Sequence, residues 1–196
     1  MINHPTPVGP AGPILLFAGL ALFLLLLVFA GKREAGESGS RRSARSILGI
    51  VIQMLGFVAV GAGPIDMSLA PISPAAIEQA SLVVVLIAFT CAVFAASKRA
   101  LGRNWSLVAR MRSDHELVTW GPFAYVRHPI YTALFAWLMA MAVAFGHYRG
   151  LILGVPLYWI GTTLRILEEE KLLRAQFGPV YDAYAARVKR FLPGIV

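Results

Sequence analysis

The chain has 196 residues, 58% hydrophobic and 14% charged, with a mean hydropathy of +0.69. Ordinary soluble domains carry about 25% charged residues, so this composition excludes one and points to a bilayer protein. The formal net charge of +8 lies between apolar runs and not along one aromatic-lined stripe, which speaks against nucleic acid and for an anionic lipid surface.

Five apolar segments are predicted to span a membrane: 13–30, 47–62, 77–96, 129–145 and 151–167. The first, roughly 27 Å long as a helix, matches the hydrocarbon thickness. Residues 1–12 hold no Lys or Arg, whereas Lys32, Arg33, Arg41, Arg42 and Arg45 follow the first span. That order fits an uncleaved anchor with its N-terminus outside. The stretch 34–46, rich in Gly, Ser and Arg, reads as a solvated loop.

The next loop, 63–76, has no Lys or Arg and carries Pro64, Pro71 and Pro74. Cys91, the only cysteine, lies inside the third span, so no intrachain disulfide forms. Lys98, Arg99, Arg103, Arg110, Arg112 and Arg127 precede the fourth span, and Lys171, Arg174, Arg187, Lys189 and Arg190 follow the fifth. Positive charge thus alternates with the spans, which predicts a cytosolic C-terminus. The expected location is a multi-pass position in a prokaryotic cell membrane.

The short turn 146–150 predicts a helical hairpin of spans four and five, whose cytosolic ends, 128–131 and 165–170, converge. Phe177-Gly178-Pro179 ends one helix and starts another. Val180, Tyr181, Tyr184 and Val188 then recur at helical spacing, so an amphipathic tail is expected against the membrane or over the site. The expected fold is all-α: a polytopic bundle of about five transmembrane helices with a hairpin and a cytosolic amphipathic helix, one domain over 1–196.

Two clusters carry chemistry. In the first, 115–131, Gly121-Pro122 signals a turn and Pro129 suits the first turn of a helix. Pro129 also pushes His128 out of the α region, onto irregular backbone where side chains and free N–H groups meet a ligand. An interfacial belt is an equal alternative, with Trp120, Tyr125 and Tyr131 at headgroup depth and Arg127 on lipid phosphate.

The second cluster is Arg165-Ile166-Leu167-Glu168-Glu169-Glu170. A helix C-terminus disfavours carboxylates, and this side of the membrane is otherwise basic, so the acidic run needs a reason. Carboxylates accept hydrogen bonds from ribose hydroxyls, and an Arg fork matches a carboxylate or phosphate. Arg165 is also spaced to pair with Glu168 or Glu169 on its own helix. His4, His115, His128 and His147 are scattered over both faces and suggest no metal site.

At these residues the chain resembles the isoprenylcysteine carboxyl methyltransferases. The segment 121–131 is similar to their Gly-x-Tyr-x-x-x-Arg-His-Pro-x-Tyr element. Glu168-Glu169-Glu170, with Leu172, Phe177-Gly178, Tyr181, Tyr184 and Leu192-Pro193, resembles their acidic C-terminal element. The likeness covers roughly 103–193, which would form the methyltransferase core.

The resemblance implies S-adenosyl-L-methionine, bound without a Rossmann domain at the cytosolic membrane face. His115, Glu116, Leu117 and Val118 would line the cofactor, Phe123 would stack near its adenosyl group, and His128, Pro129, Ile130 and Tyr131 would complete the pocket. Glu169 would meet the ribose or amino group. Arg165 would act as the catalytic residue that orients the acceptor, most naturally a carboxylate on a lipophilic or lipidated substrate, with Glu170 beside it. Phe123 stands where the family often has Tyr, and Ala133 where Gly is common.

Similar folds methylate phospholipid amines or small thiols, for which His128 or Glu170 would serve as base, or reduce sterols with NADPH. A membrane anchor or assembly protein is the non-enzymatic alternative. The oligomeric state is left open.

Overall fold

The computed structural model describes residues 4–29, 43–105 and 116–191. His115, the Leu192-Pro193 pair and the basic residues Lys32, Arg33, Arg41, Arg42, Arg110 and Arg112 lie outside that set. The described helices are α1 Ala11–Phe29, α2 Ala44–Gly61, α3 Pro74–Leu101, α4 Pro129–Phe145, α5 Leu151–Phe177 and α6 Pro179–Arg187.

Local chemistry sets most of these boundaries. Ser43 and Ser73 each accept a hydrogen bond from the backbone N–H three residues on, capping α2 and α3, and Pro74 occupies the first turn of α3. Gly146, at φ +68, ends α4 in the left-handed conformation that glycine adopts without steric cost. α5 continues ten residues beyond the apolar segment 151–167, carrying the acidic run on a regular helix.

By length and composition α1, α2, α3 and α5 suffice to cross a membrane, and α4, with 17 residues, is shorter. Their outward faces carry exposed Leu24, Leu25, Val51, Val85, Phe89, Ile152 and Ile160, an arrangement that water would penalise and lipid would not. The chain is an all-α, multi-pass integral membrane protein.

α1 and α4 pack on α3 around Leu16, Val83, Ile87, Cys91, Trp137 and Val143. The nearest backbone partner of α5 is α2, not α4, which precedes it in the chain. Glycines explain this: a Cβ on Gly49 would lie 2.7 Å from the Gly161 carbonyl oxygen, and one on Gly56 would lie 2.8 Å from that of Gly154. Small residues let two helices approach closely where lipid supplies no hydrophobic drive. α4 stands off from α5 by the width of Leu138 and Tyr158, which fill the space between α2, α4 and α5.

At the end remote from the acidic run, the N-terminal segment seals the loops. Thr6 N–H donates to the Gly146 carbonyl at 3.0 Å and Val8 N–H to Asp66 at 2.8 Å. The buried His147 ring lies with its nitrogens 2.8 and 2.9 Å from the Val60 and Pro64 carbonyl oxygens.

Candidate functional site

Pro129 opens α4, and the preceding His128 sits at φ −127°, ψ 57°, outside the helical region. This bend turns the His128 ring toward α5. There Glu169 and Glu170, successive on the helix, point to different neighbours.

Glu170 is the electrostatic hub. Its side chain is fully buried and Arg190 grips it in a fork, Nε to Oε1 at 3.0 Å and Nη2 to Oε2 at 2.8 Å. Arg127 reaches Oε1 at 3.1 Å, His128 Nε2 lies 3.3 Å from the same oxygen, and Arg174 approaches Oε2 at 3.6 Å. A buried carboxylate is tolerated when several charge-assisted bonds replace its water. The same contact raises the pKa of Arg190. Glu170 was expected beside the acceptor, but both its oxygens are committed to protein cations.

The C-terminal segment closes on this hub. Lys189 and Arg190 lend carbonyls to the N–H groups of Arg127 and His128, at 2.7 and 3.0 Å, extending a bridge between Val126 and Lys189. Arg127 also donates to the carbonyls of Ala185 and Val188. Tyr184 of α6 donates to the Phe123 carbonyl at 2.7 Å, and burial pushes both Tyr181 and Tyr184 hydroxyls up to about 12. α6 therefore lies over the 121–128 loop. The interfacial-belt alternative fits exposed Trp120 and Tyr125, whereas Tyr131 is buried and Arg127 is turned inward to Glu170.

Glu169 keeps a partly open edge, with 28% of its side chain exposed. The Tyr131 hydroxyl donates to one of its oxygens, and His128 Nδ1 lies 3.6 Å from the other. The Arg165 guanidinium stands over the Tyr131 ring, 5.0 Å from its centroid. Arg165 donates to Gln53 Oε1 at 2.9 Å, and Gln53 Nε2 donates to Thr162 at 3.0 Å. Glu168 turns away to Ser43, 2.9 Å, and Arg45, 3.6 Å.

The structure thus brings together His128, Tyr131, Arg165, Glu169 and Glu170, with Pro129 and Ile130 in the same turn, while Phe123 is buried and joined to α6 through its carbonyl. Glu116 is fixed elsewhere along the loop, its N–H and carbonyl each 3.4 Å from the Asn104 amide, and Leu117 and Val118 are half-buried. Sequence reasoning missed Gln53 and Arg190. A lone Gln inside an apolar span was the available signal for the first. A groove of about 420 Å³ between α1 and α3, lined by Leu15, Ile77 and Val84, lies apart from this cluster. Its lining is almost wholly apolar and offers nothing to a nucleoside.

A family model for the isoprenylcysteine carboxyl methyltransferase (ICMT) family matches residues 80–175, which hold every member of this cluster except Gln53 and Arg190. The match spans 96 of the 196 residues, and over that stretch the chain resembles the ICMT family. It is 36% identical over 94 residues to the protein-S-isoprenylcysteine O-methyltransferase of Schizosaccharomyces pombe, covering 47% of this chain and 40% of that protein. A probable protein-S-isoprenylcysteine O-methyltransferase of Oryza sativa is 31% identical over 96 residues, covering 48% and 50%. The Dictyostelium discoideum protein-S-isoprenylcysteine O-methyltransferase is 36% identical over 84 residues, covering 43% and 35%. The aligned part spans half or less of these ICMT relatives.

Proposed function

We propose that the chain is an S-adenosyl-L-methionine-dependent methyltransferase that esterifies the carboxylate of a lipophilic, prenylcysteine-like acceptor. The observation that carries this reading is the meeting of His128 and Tyr131 with Glu169 and Arg165 at one end of the bundle. The cofactor, when bound, supplies the electrophilic methyl group.

The donor set suits that cofactor. Glu169 offers a half-open carboxylate to ribose hydroxyls or the amino group, and Phe123 offers a buried aromatic face. His128, Pro129, Ile130 and Tyr131 form one wall. Glu116, Leu117 and Val118 would line the cofactor from the loop that Asn104 holds at Glu116, and His115 would join them as the resemblance implies. Arg165 orients the acceptor carboxylate. Such a nucleophile needs no base at neutral pH, so rate comes from alignment. Glu170 serves as the scaffold that docks the tail, in place of an acceptor contact.

The core is assigned to 103–193 of a single domain. α4 counts as a fifth span, paired with α5 as a hairpin; the N-terminus lies outside, and α6 lies amphipathically at the cytosolic face. The acceptor enters from the lipid. Calorimetry tests the reading: S-adenosylhomocysteine should bind and Glu169→Ala should abolish binding, whereas binding of NADPH alone would move the chain to the reductases. Absence of binding by either would leave an anchor.

A further inference from the structure

α2 lies outside the matched segment, yet it reaches into the cluster through one residue. Gln53 is fully buried within an apolar helix, where an amide is retained only if both its ends are bonded. Both are. Its orientation is unambiguous, because a guanidinium only donates: Oε1 must face Arg165, which leaves Nε2 to donate to Thr162.

Thr162 and Arg165 are three residues apart on one face of α5, so a single amide reads both and fixes the rotation of α5 against α2. One turn earlier, Gly49 leaves space for the arginine stem; a Cβ there would lie 2.6 Å from Arg165 Cγ. On the other side stands the Tyr131 ring, whose hydroxyl is bonded to Glu169. The guanidinium is therefore held between an α2 amide and an α4 ring that also touches the cofactor-side carboxylate.

We infer that Gln53 is a positioning residue that sets the angle of the Arg165 fork and thereby the preference for an anionic, carboxylate-bearing acceptor. The inference rests on the acceptor-orienting role proposed for Arg165. A neutral amide orients the fork without cancelling its charge, whereas a carboxylate at the same position would compete with the acceptor for it.

The test uses the full chain in detergent with N-acetyl-S-farnesylcysteine as acceptor and S-adenosylhomocysteine as cofactor probe. Gln53→Leu and Gln53→Glu should each raise the acceptor KM at least tenfold while cofactor Kd stays within twofold. Thr162→Val, which removes the anchor of the amide, should raise KM about threefold, and Thr162→Ser should restore it. If the Gln53 variants do not fold, as judged by lost cofactor binding, the Thr162 pair decides. A raised KM in Arg165→Lys with unchanged KM in Gln53→Leu and Thr162→Val would overturn the inference and leave the Arg165 role standing. An unchanged KM in Arg165→Lys would overturn both.

Discussion

The Tyr131 hydroxyl donates to Glu169, tying the first turn of α4 to α5 across 38 residues of chain. The bond bridges two helices whose backbones stand apart, and it orients the one carboxylate of the acidic run with an open edge at the cluster. Tyr131→Phe should therefore loosen Glu169 without disturbing the bundle. A hydrogen bond to a charged group contributes about 1.5–3 kcal/mol, so calorimetry should register a rise of about tenfold in S-adenosylhomocysteine Kd. An unchanged Kd would detach Glu169 from cofactor binding.

Glu170 predicts a different phenotype. Replacing it by Gln leaves Arg127 and Arg190 facing one another without the buried carboxylate between them. Breaking a buried pair from one side costs about 3–5 kcal/mol. Thermal unfolding in detergent should fall accordingly, and trypsin should cut sooner after Arg187, Lys189 or Arg190 as the tail detaches. Equal tail protection in Glu170→Gln and the parent would contradict the hub.

The two buried tyrosines of α6 should behave unequally. Tyr184 donates to the Phe123 carbonyl, and Tyr184→Phe should lose about 1 kcal/mol of stability. The Tyr181 hydroxyl has no hydrogen-bond partner among the described residues, so Tyr181→Phe should be neutral or slightly stabilising.

Their titration gives a pH signature. Both hydroxyls are raised from the usual 10 to about 12 on folding, chiefly by burial. A raised value in the folded state means full stability below pH about 10 and progressive loss as pH climbs toward 12. Thermal scans between pH 9 and 12 should show that decline, and the double Phe variant should flatten it. A decline of equal slope in both would assign alkaline sensitivity to other groups.

Gly161→Ala places a methyl 2.5 Å from the Gly49 carbonyl oxygen and from the Gln53 N–H nitrogen, both backbone atoms that cannot swing aside. Overpacking of this kind costs about 1–3 kcal/mol, with more expected where backbone must move. A melting temperature equal to that of the parent would refute the close α2–α5 approach.

The helix positions were readable because apolar runs of 16 to 20 residues and the proline and glycine punctuation at 129, 146 and 178 are local signals. His128-Pro129 and the acidic run were also visible, and their pairing followed from the short turn between the helices. Partner choice was not. Arg127 looked like a phosphate anchor because its partners, Glu170 and the carbonyls of 185 and 188, lie 43 or more residues away. Gly49, Gly56, Gly154 and Gly161, each pair seven residues apart, encode the α2–α5 contact, but a glycine repeat on one helix does not name its mate. Three adjacent carboxylates look alike in sequence; only the helical turn sends Glu168 to Arg45, Glu169 to Tyr131 and Glu170 to the cations.

The most direct measurement is transfer of a labelled methyl from S-adenosyl-L-methionine to N-acetyl-S-farnesylcysteine by membranes carrying the full chain. Label in the lipid product that is released as methanol by mild alkali, and that is lost in Glu169→Ala and Arg165→Ala, is the predicted result. Label that resists alkali, or transfer that persists in both variants, would contradict a carboxylate acceptor held at this cluster.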